Sequence, residues 1–383
     1  AIWVQAFGAN LLGSSGHSHP RGVQSVWRGG TRAHSAADVR CSVDRSPWGM
    51  AARGGVSALA AWFGSLFAVW IAGVSVVALV WPWTLLWLSP AHFPGLMGLL
   101  MFSVGITIKP KDFLLDRPLV RPLGINFLGC FALLPLCAFT LAKTCGESRE
   151  VVAGSVLLTA VNGGQASNIC ALLAGVDVPL SVLMTISTTL AGIVLTPALV
   201  KALLGAVIAV DALGILRSAA QVVLVPVCLG IALQALAPRL CSKMAPVIPL
   251  TGILVSVLVV GATVASCAAQ IRGAGSHLHA TLLLMHVLGA IGGFWASAAL
   301  GGGKQECRTV AIEVAMKSSA FGFVLAVLHF DEFDVRIPAA ADCIWCPLVG
   351  ATLAAVWRPR GGTKDAGGGA SAGSGSWAGA YRR

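Results

Sequence analysis

Of the 383 residues, 56% are hydrophobic and only 11% charged, and the mean hydropathy is +0.83. Soluble globular chains carry about a quarter charged residues, so this composition excludes a water-soluble fold and specifies a polytopic membrane protein. The formal net charge of +11 comes from basic residues gathered in the N-terminal region, the tail and the loops, a distribution that argues against a nucleic-acid partner.

Residues 1–55 stand apart from the rest. They hold Arg21, Arg28, Arg32, Arg40, Arg45 and Arg53 among many serines, with Asp38 and Asp44 as the only acids. An Arg- and Ser-rich, acid-poor stretch reads as an organellar transit or targeting region outside the folded domain. A disordered basic tail facing a membrane surface is the other reading of the same residues. At the far end, residues 358–383 are rich in Gly, Ser and Ala and read as a flexible tail that builds no core.

A membrane-spanning helix needs about 20 apolar residues. Ten segments meet or approach that length: 56–80, 93–108, 119–142, 151–174, 178–204, 212–237, 247–267, 278–300, 310–330 and 337–357. The expected fold class is therefore an all-α membrane protein with ten transmembrane helices and a transporter-sized domain over 56–357. Assigning alternate loops to alternate sides puts twelve lysines and arginines on one face, among them Lys109, Arg121, Arg239, Arg308 and Arg358. Six fall on the other, namely Lys143, Arg149, Lys201, Arg217, Arg272 and Arg336. Basic residues favour the cytoplasm-like side, so both ends of the helical domain are expected there.

The fourth and ninth segments carry polar interruptions, each the fourth of its five. Two halves of odd span number insert with opposite topology, so 56–204 and 212–357 read as inverted repeats, and interrupted helices at matching positions point to a midplane binding site. In the fourth segment the run Asn162-Gly163-Gly164-Gln165-Ala166-Ser167-Asn168 is costly in hydrocarbon unless it lines a cavity or is buried in protein. Gly163 and Gly164 mark the expected helix break. Ser181 and Thr185, four apart in the fifth segment, share a face. With Ser167 and Asn168 they offer hard oxygen ligands for an alkali cation, although such hydroxyls also serve as interhelical bonds or bond the carbonyl four residues back.

The ninth segment places Glu313 and Lys317 in apolar surroundings, where each charge costs about 2.5–3.5 kcal/mol at a helix centre, which makes both functional candidates. A self-contained i,i+4 ion pair is the alternative. Asp342 is a further candidate partner for Lys317, or else a loop-facing helix-start residue. His286 and His329 read as structural, a change of charge near neutral pH being the other reading of each. The eleven cysteines, Cys343-x-x-Cys346 included, read as small buried hydrophobes, and the sequence has no nucleophile–base pair, metal cluster or phosphate loop that would suggest an enzyme.

These stretches resemble the bile acid:sodium symporter family, especially its plastid members. The resemblance runs over residues 60–357. It is carried by Gly98-Leu-Leu-Met-Phe-Ser-Val-Gly-Ile-Thr107 through Asp112-Phe113, by Gly163-Gly-Gln-Ala-Ser-Asn168, by Asp177-Val-Pro-Leu-Ser181 through Thr185 to Leu195-Thr-Pro197, and by Arg308-Thr-Val-Ala-Ile-Glu-Val314. Val210-Asp-Ala with Gln221-Val-Val-Leu-Val-Pro226 looks like the plastid branch.

The resemblance implies a panel domain of helices 1, 2, 6 and 7 and a core of the other six, with helices 4 and 9 broken and crossing. It implies sodium-coupled movement of a small organic anion, such as pyruvate or a related carboxylate, by alternating access across a plastid envelope. Its first sodium site carries over onto Ser167, Asn168, Ser181, Thr185 and Glu313, and its substrate-lining positions onto Gln165 and Ser318. Its second sodium site does not carry over, because Cys130 stands where the family has a glutamine, Ala315 where it has a glycine and Lys317 where it has a second glutamine. The expectation is one sodium, with the Lys317 ammonium in the place of the second. A Glu313/Lys317 pair coupling protons, an uncoupled carrier and a non-transporting receptor or scaffold are the alternatives.

Overall fold

The computed structural model describes residues 64, 66–108, 119–164, 166–205, 210–244 and 247–358. The expected transit region, all of the expected tail beyond residue 358, Asp112, Phe113 and Gln165 lie outside the described residues. The described chain is helical: α1 Phe67–Val80, α2 Phe93–Thr107, α3 Val120–Thr144, α4 Arg149–Ala160, α5 Ala166–Ala174, α6 Val178–Leu204 and α7 Ala212–Leu236. There follow α8 Pro238–Met244, α9 Ile248–Ser266, α10 Ala268–Gly273, α11 Ser276–Ala299, α12 Lys304–Ala315, α13 Ser319–His329 and α14 Ile337–Trp357.

Among the described residues, six helical stretches are long and apolar enough to cross a membrane: Pro90–Thr107, which includes α2, then α3, α6, α7, α11, and Phe333–Trp357, which includes α14. Apolar but shorter are α1, α13 and the Leu250–Ser266 part of α9. Large side chains such as Val69, Leu236 and Trp295 are exposed, as lipid-facing residues are. Trp81, Trp83 and Trp87 are exposed just beyond the end of α1, which suits an aromatic belt at the membrane interface.

Local chemistry sets the helix ends. The Ser148 hydroxyl accepts from Val151 N at 3.2 Å to start α4, and the Asp177 carboxylate accepts from Leu180 N at 3.1 Å to start α6. Two helices widen into a π turn just ahead of a proline: α3 over Gly129–Leu133 before Pro135, and α7 over Ala220–Leu224 before Pro226. Proline lacks an N–H and its ring crowds the carbonyl four residues back, and a wider turn relieves that crowding.

Helix ends that the loop alternation assigns to one side meet in space. Arg121 at the start of α3 forms a two-pronged ion pair with Glu306 at the start of α12, at 2.7 and 3.1 Å, and the Arg308 guanidinium lies 5.8 Å from the Trp357 ring at the end of α14. On the other side, Arg272 donates to the Leu79 carbonyl and His329 meets the Ser218 hydroxyl at 2.9 Å.

Two groups of helices pack closely within themselves, and they also touch each other, α14 on α1 and α9 and the start of α7 on α6. α1 lies on α9, and α2 on α7 and α9. At the α2–α7 contact a Cβ on Gly105 would fall 2.4 Å from the Val227 carbonyl oxygen, so the backbones are too close for any side chain there. In the other group α3 packs on α4 and α11, α11 on α12, and α14 on α5 and α11.

Candidate functional site where two broken helices cross

The break between α4 and α5 and the break between α12 and α13 pair with each other. Gly163 and Lys317 form an isolated antiparallel bridge, and Ser318 N donates to the Asn162 carbonyl at 3.1 Å. Each opened helix thus satisfies backbone groups of the other, as membrane burial demands. Gly164 is the glycine that the crossing needs, because a Cβ there would lie 2.6 Å from the Lys317 carbonyl oxygen, whereas one on Gly163 meets nothing closer than 3.6 Å. The Asn162 amide donates to Thr189 Oγ1 at 2.8 Å and so fastens the first break to α6.

Beside this crossing, residues from α5, α6 and α12 converge. Glu313 is 1% exposed, and its carboxylate accepts from Thr185 Oγ1 at 2.9 Å and contacts the Ser181 hydroxyl through its other oxygen. Ser181 Oγ also lies 2.8 Å from Asn168 Oδ1, and Thr185 Oγ1 lies 3.1 Å from the Ser181 carbonyl and 3.4 Å from Asn168 Oδ1. Ser167 Oγ gives its proton to the Gly164 carbonyl at 2.7 Å and sits 3.5 Å from Thr185 Oγ1.

The two hydroxyl protons of Ser181 and Thr185 face four acceptors, namely both Glu313 oxygens, Asn168 Oδ1 and the Ser181 carbonyl. A buried cluster of oxygens with more lone pairs than protons, and one carboxylate charge, has the donor chemistry of a hard alkali cation. These are the five residues the sequence singles out for sodium, and the fold brings them together.

Glu313 and Lys317 do not form the i,i+4 pair that their spacing allows. α12 ends at Ala315, and Met316 and Ser318 leave helical geometry, so the two side chains diverge. Lys317 is 3% exposed, and its ammonium donates to the carbonyls of Cys130 at 2.9 Å and Val161 at 3.2 Å, with the Phe131 ring centroid at 5.8 Å. The Cys130 carbonyl is available for a definite reason. In the π turn its donor would come from five residues ahead, and that residue is Pro135, which has no N–H. Val161 is the residue at which α4 opens. Lys317 therefore sits in a cradle of carbonyls freed by a proline and by a helix break.

Asp342 acts on Lys317 only through space, its hydrogen bonds going elsewhere, and it does not face a loop. It is fully buried and bonded to His286 at 2.5 Å and to Ser319 Oγ at 2.7 Å. Ser318 caps α13 without a side-chain capping bond and is half-buried at the break. Cys346 Sγ approaches the Lys317 carbonyl at 3.4 Å. The sequence reading missed two polar groups near the crossing. One is the His286–Asp342 pair, whose members are 56 positions apart. The other is Asn126 on α3, 1% exposed, whose amide nitrogen has no hydrogen-bond partner among the described residues while its oxygen takes the Cys130 thiol at 3.5 Å. Its signal was a lone carboxamide in an apolar segment.

The model of the Sodium Bile acid symporter family matches residues 94–273. A probable sodium/metabolite cotransporter BASS2, chloroplastic, of Oryza sativa subsp. japonica is 34% identical over 299 residues, covering 78% of this chain and 71% of the relative. A BASS1 of the same description from that organism is 33% identical over 293 residues, covering 76% and 72%. Its Arabidopsis thaliana counterpart is 32% identical over 292 residues, covering 76% and 73%. These names describe transporters, not enzymes. On identity at this level across most of both chains, this multi-pass membrane protein belongs to the sodium/bile acid symporter family.

Proposed function

We propose that the chain is a secondary transporter that moves a small organic anion, a carboxylate such as pyruvate, across a plastid envelope by sodium-coupled alternating access. The observation that carries this reading is the proton-poor oxygen cluster of Ser167, Asn168, Ser181, Thr185 and Glu313 lying directly beside the crossing. The chloroplastic relatives named sodium/metabolite cotransporters support the compartment, the sodium coupling and a metabolite as cargo.

The architecture we propose is two inverted repeats, 56–204 and 212–357, within a transporter domain 56–357 preceded by a transit region 1–55 and followed by a tail 358–383. The pairing of the two breaks and the meeting of helix ends assigned to the same side support it. The panel would be α1, α2, α7 and α9, and the core the helices around the crossing; the close packing of α1 on α9 and of α2 on α7 supports that division. A carboxylate would lie at the crossing, near Gln165 and Ser318, where the N-terminal ends of α5 and α13 offer partial positive charge.

We further take the carrier to use one sodium. Two unit charges about 4 Å apart repel by roughly 4 kcal/mol at an effective dielectric near 20. The carbonyls of Cys130 and Val161 already hold the Lys317 ammonium, so a second cation there would meet both that repulsion and occupied ligands. Uptake of labelled carboxylates into liposomes, measured against sodium, tests the reading. Sodium-stimulated flux with a Hill coefficient near one, lost in Glu313→Ala, is the expected result. A coefficient near two would remove the one-sodium assignment. Sodium-independent, pH-driven uptake would favour proton coupling through Glu313, and absence of flux for every carboxylate would favour a non-transporting receptor.

A further inference from the structure

The His286–Asp342 pair lies outside the oxygen cluster and does nothing in the sodium reading. Both residues are fully buried. His286 Nδ1 faces the Ala315 carbonyl oxygen at 2.5 Å, and because a carbonyl only accepts, this nitrogen carries hydrogen and donates. Nε2 faces Asp342 Oδ1 at 2.5 Å. Two atoms that both present lone pairs do not approach so closely, so a proton lies between them. The pair is either imidazolium with carboxylate or neutral imidazole with carboxylic acid, and its net charge is zero in both forms. The other carboxyl oxygen accepts from Ser319 Oγ at 2.7 Å.

The attachment points give this proton a role. Ala315 is the last residue of α12 and Ser319 the first of α13. A pair anchored on α11 and α14 therefore holds both lips of the second break. Loss of the shared proton would leave one uncompensated negative charge in a site with no solvent exposure, and would set the Nε2 lone pair against a carboxylate oxygen.

We propose that His286 and Asp342 form a proton-binding site that clamps the break between α12 and α13, and that the carrier works only while this proton is held. The titratable and charged groups that interact with the pair are Lys317 in the break and Cys343 and Cys346 on α14. Cys346 Sγ lies within 4.8 Å of the His286 and Asp342 ligand atoms, which raises the question of a metal. Ligands of one tetrahedral zinc, each about 2.0–2.1 Å from the ion, sit roughly 3.3 Å apart, and the 2.5 Å approach of Nε2 to Oδ1 fits a proton instead.

Asp342→Asn separates this role from mere packing. The amide N–H donates to Nε2 and the amide oxygen accepts from Ser319, so the variant mimics the proton-loaded pair without a group that can lose the proton. Apparent melting temperature of the purified full chain and sodium-driven carboxylate uptake are followed across rising pH for wild type, Asp342→Asn and His286→Ala. Wild type is expected to lose at least threefold in uptake, with a falling melting temperature, toward alkaline pH. Asp342→Asn is expected to keep both, with sodium half-saturation at acid pH within twofold of wild type, and His286→Ala to be impaired throughout. The proposal is overturned if Asp342→Asn is as impaired as His286→Ala at every pH, if wild type and Asp342→Asn decline in parallel, or if one equivalent of zinc copurifies with wild type and not with Asp342→Asn. The melting series does not depend on transport, so it decides the proton site even if no carboxylate is carried.

Discussion

Lys317 Nζ donates at 2.9 Å to the carbonyl of Cys130, an acceptor that Pro135 leaves without its helical partner. A charge that would be expensive in the membrane interior is thereby matched to an acceptor that would be expensive if left alone. The consequence is a fixed cation beside the crossing, held by α3 and by the opened end of α4.

Replacing Lys317 by Gln removes the fixed charge while keeping a donor for the cradle and adding an oxygen ligand. The sodium dependence of carboxylate uptake is expected to steepen, its Hill coefficient moving from near one toward two. Flux titrated with sodium at constant ionic strength checks this. An unchanged coefficient would mean that Lys317 does not stand in for a cation.

Glu313→Gln keeps the shape of the oxygen cluster and removes its only charge. Sodium half-saturation is expected to rise at least tenfold, equivalent to about 1.4 kcal/mol. The Thr185 hydroxyl, now bonded to a neutral amide, loses a charge-assisted partner. Thr185→Val at the same site should also weaken sodium activation, but by less, since the carboxylate remains. A sodium titration of both variants in one preparation orders the two effects.

The parts of this molecule legible in sequence are those that break a local rule. A Gly-Gly pair flanked by polar residues, and an acid four residues before a lysine, are conspicuous in apolar segments because hydrocarbon penalises them, and both helix breaks fall there. Ser167, Asn168, Ser181 and Thr185 were legible as hard oxygen donors, the resemblance added Glu313 to the set, and the fold gathers all five. Partnerships across distance were not legible. The spacing of Glu313 and Lys317 suggested an i,i+4 pair, yet the break between them turns Lys317 toward carbonyls 187 and 156 positions away. Asp342 was linked to Lys317 only as a second buried charge, and its true partner, His286, looked like an ordinary core histidine. The Pro135 clue was present, but its effect on the Cys130 carbonyl depends on a π turn that no periodicity reveals.

Gly164→Ala should disrupt the crossing sterically without touching a ligand. The added methyl would meet the Lys317 carbonyl oxygen at 2.6 Å, and that atom is backbone, so the two breaks must move apart. Overpacking of this kind costs about 1–3 kcal/mol. A lower apparent melting temperature together with loss of uptake is expected, whereas Gly163→Ala, which meets nothing closer than 3.6 Å, should be milder. Comparing the two variants side by side separates the clash from a general need for glycine.

The cradle itself can be tested by giving the Cys130 carbonyl its donor back. In wild type, Lys317→Met strips the carbonyls of Cys130 and Val161 of their ammonium, and a buried acceptor left alone costs about 1–3 kcal/mol. Pro135→Ala restores an N–H that can close the helical bond to Cys130, so in that background the same Lys317→Met change abandons one acceptor instead of two. The double-mutant cycle should therefore show positive coupling of about 1 kcal/mol, because residues sharing a partner are not additive. Apparent melting temperatures of the four proteins in one detergent measure it. If the effects simply add, the Cys130 carbonyl is satisfied by some other group, and Pro135 is not what makes room for the lysine.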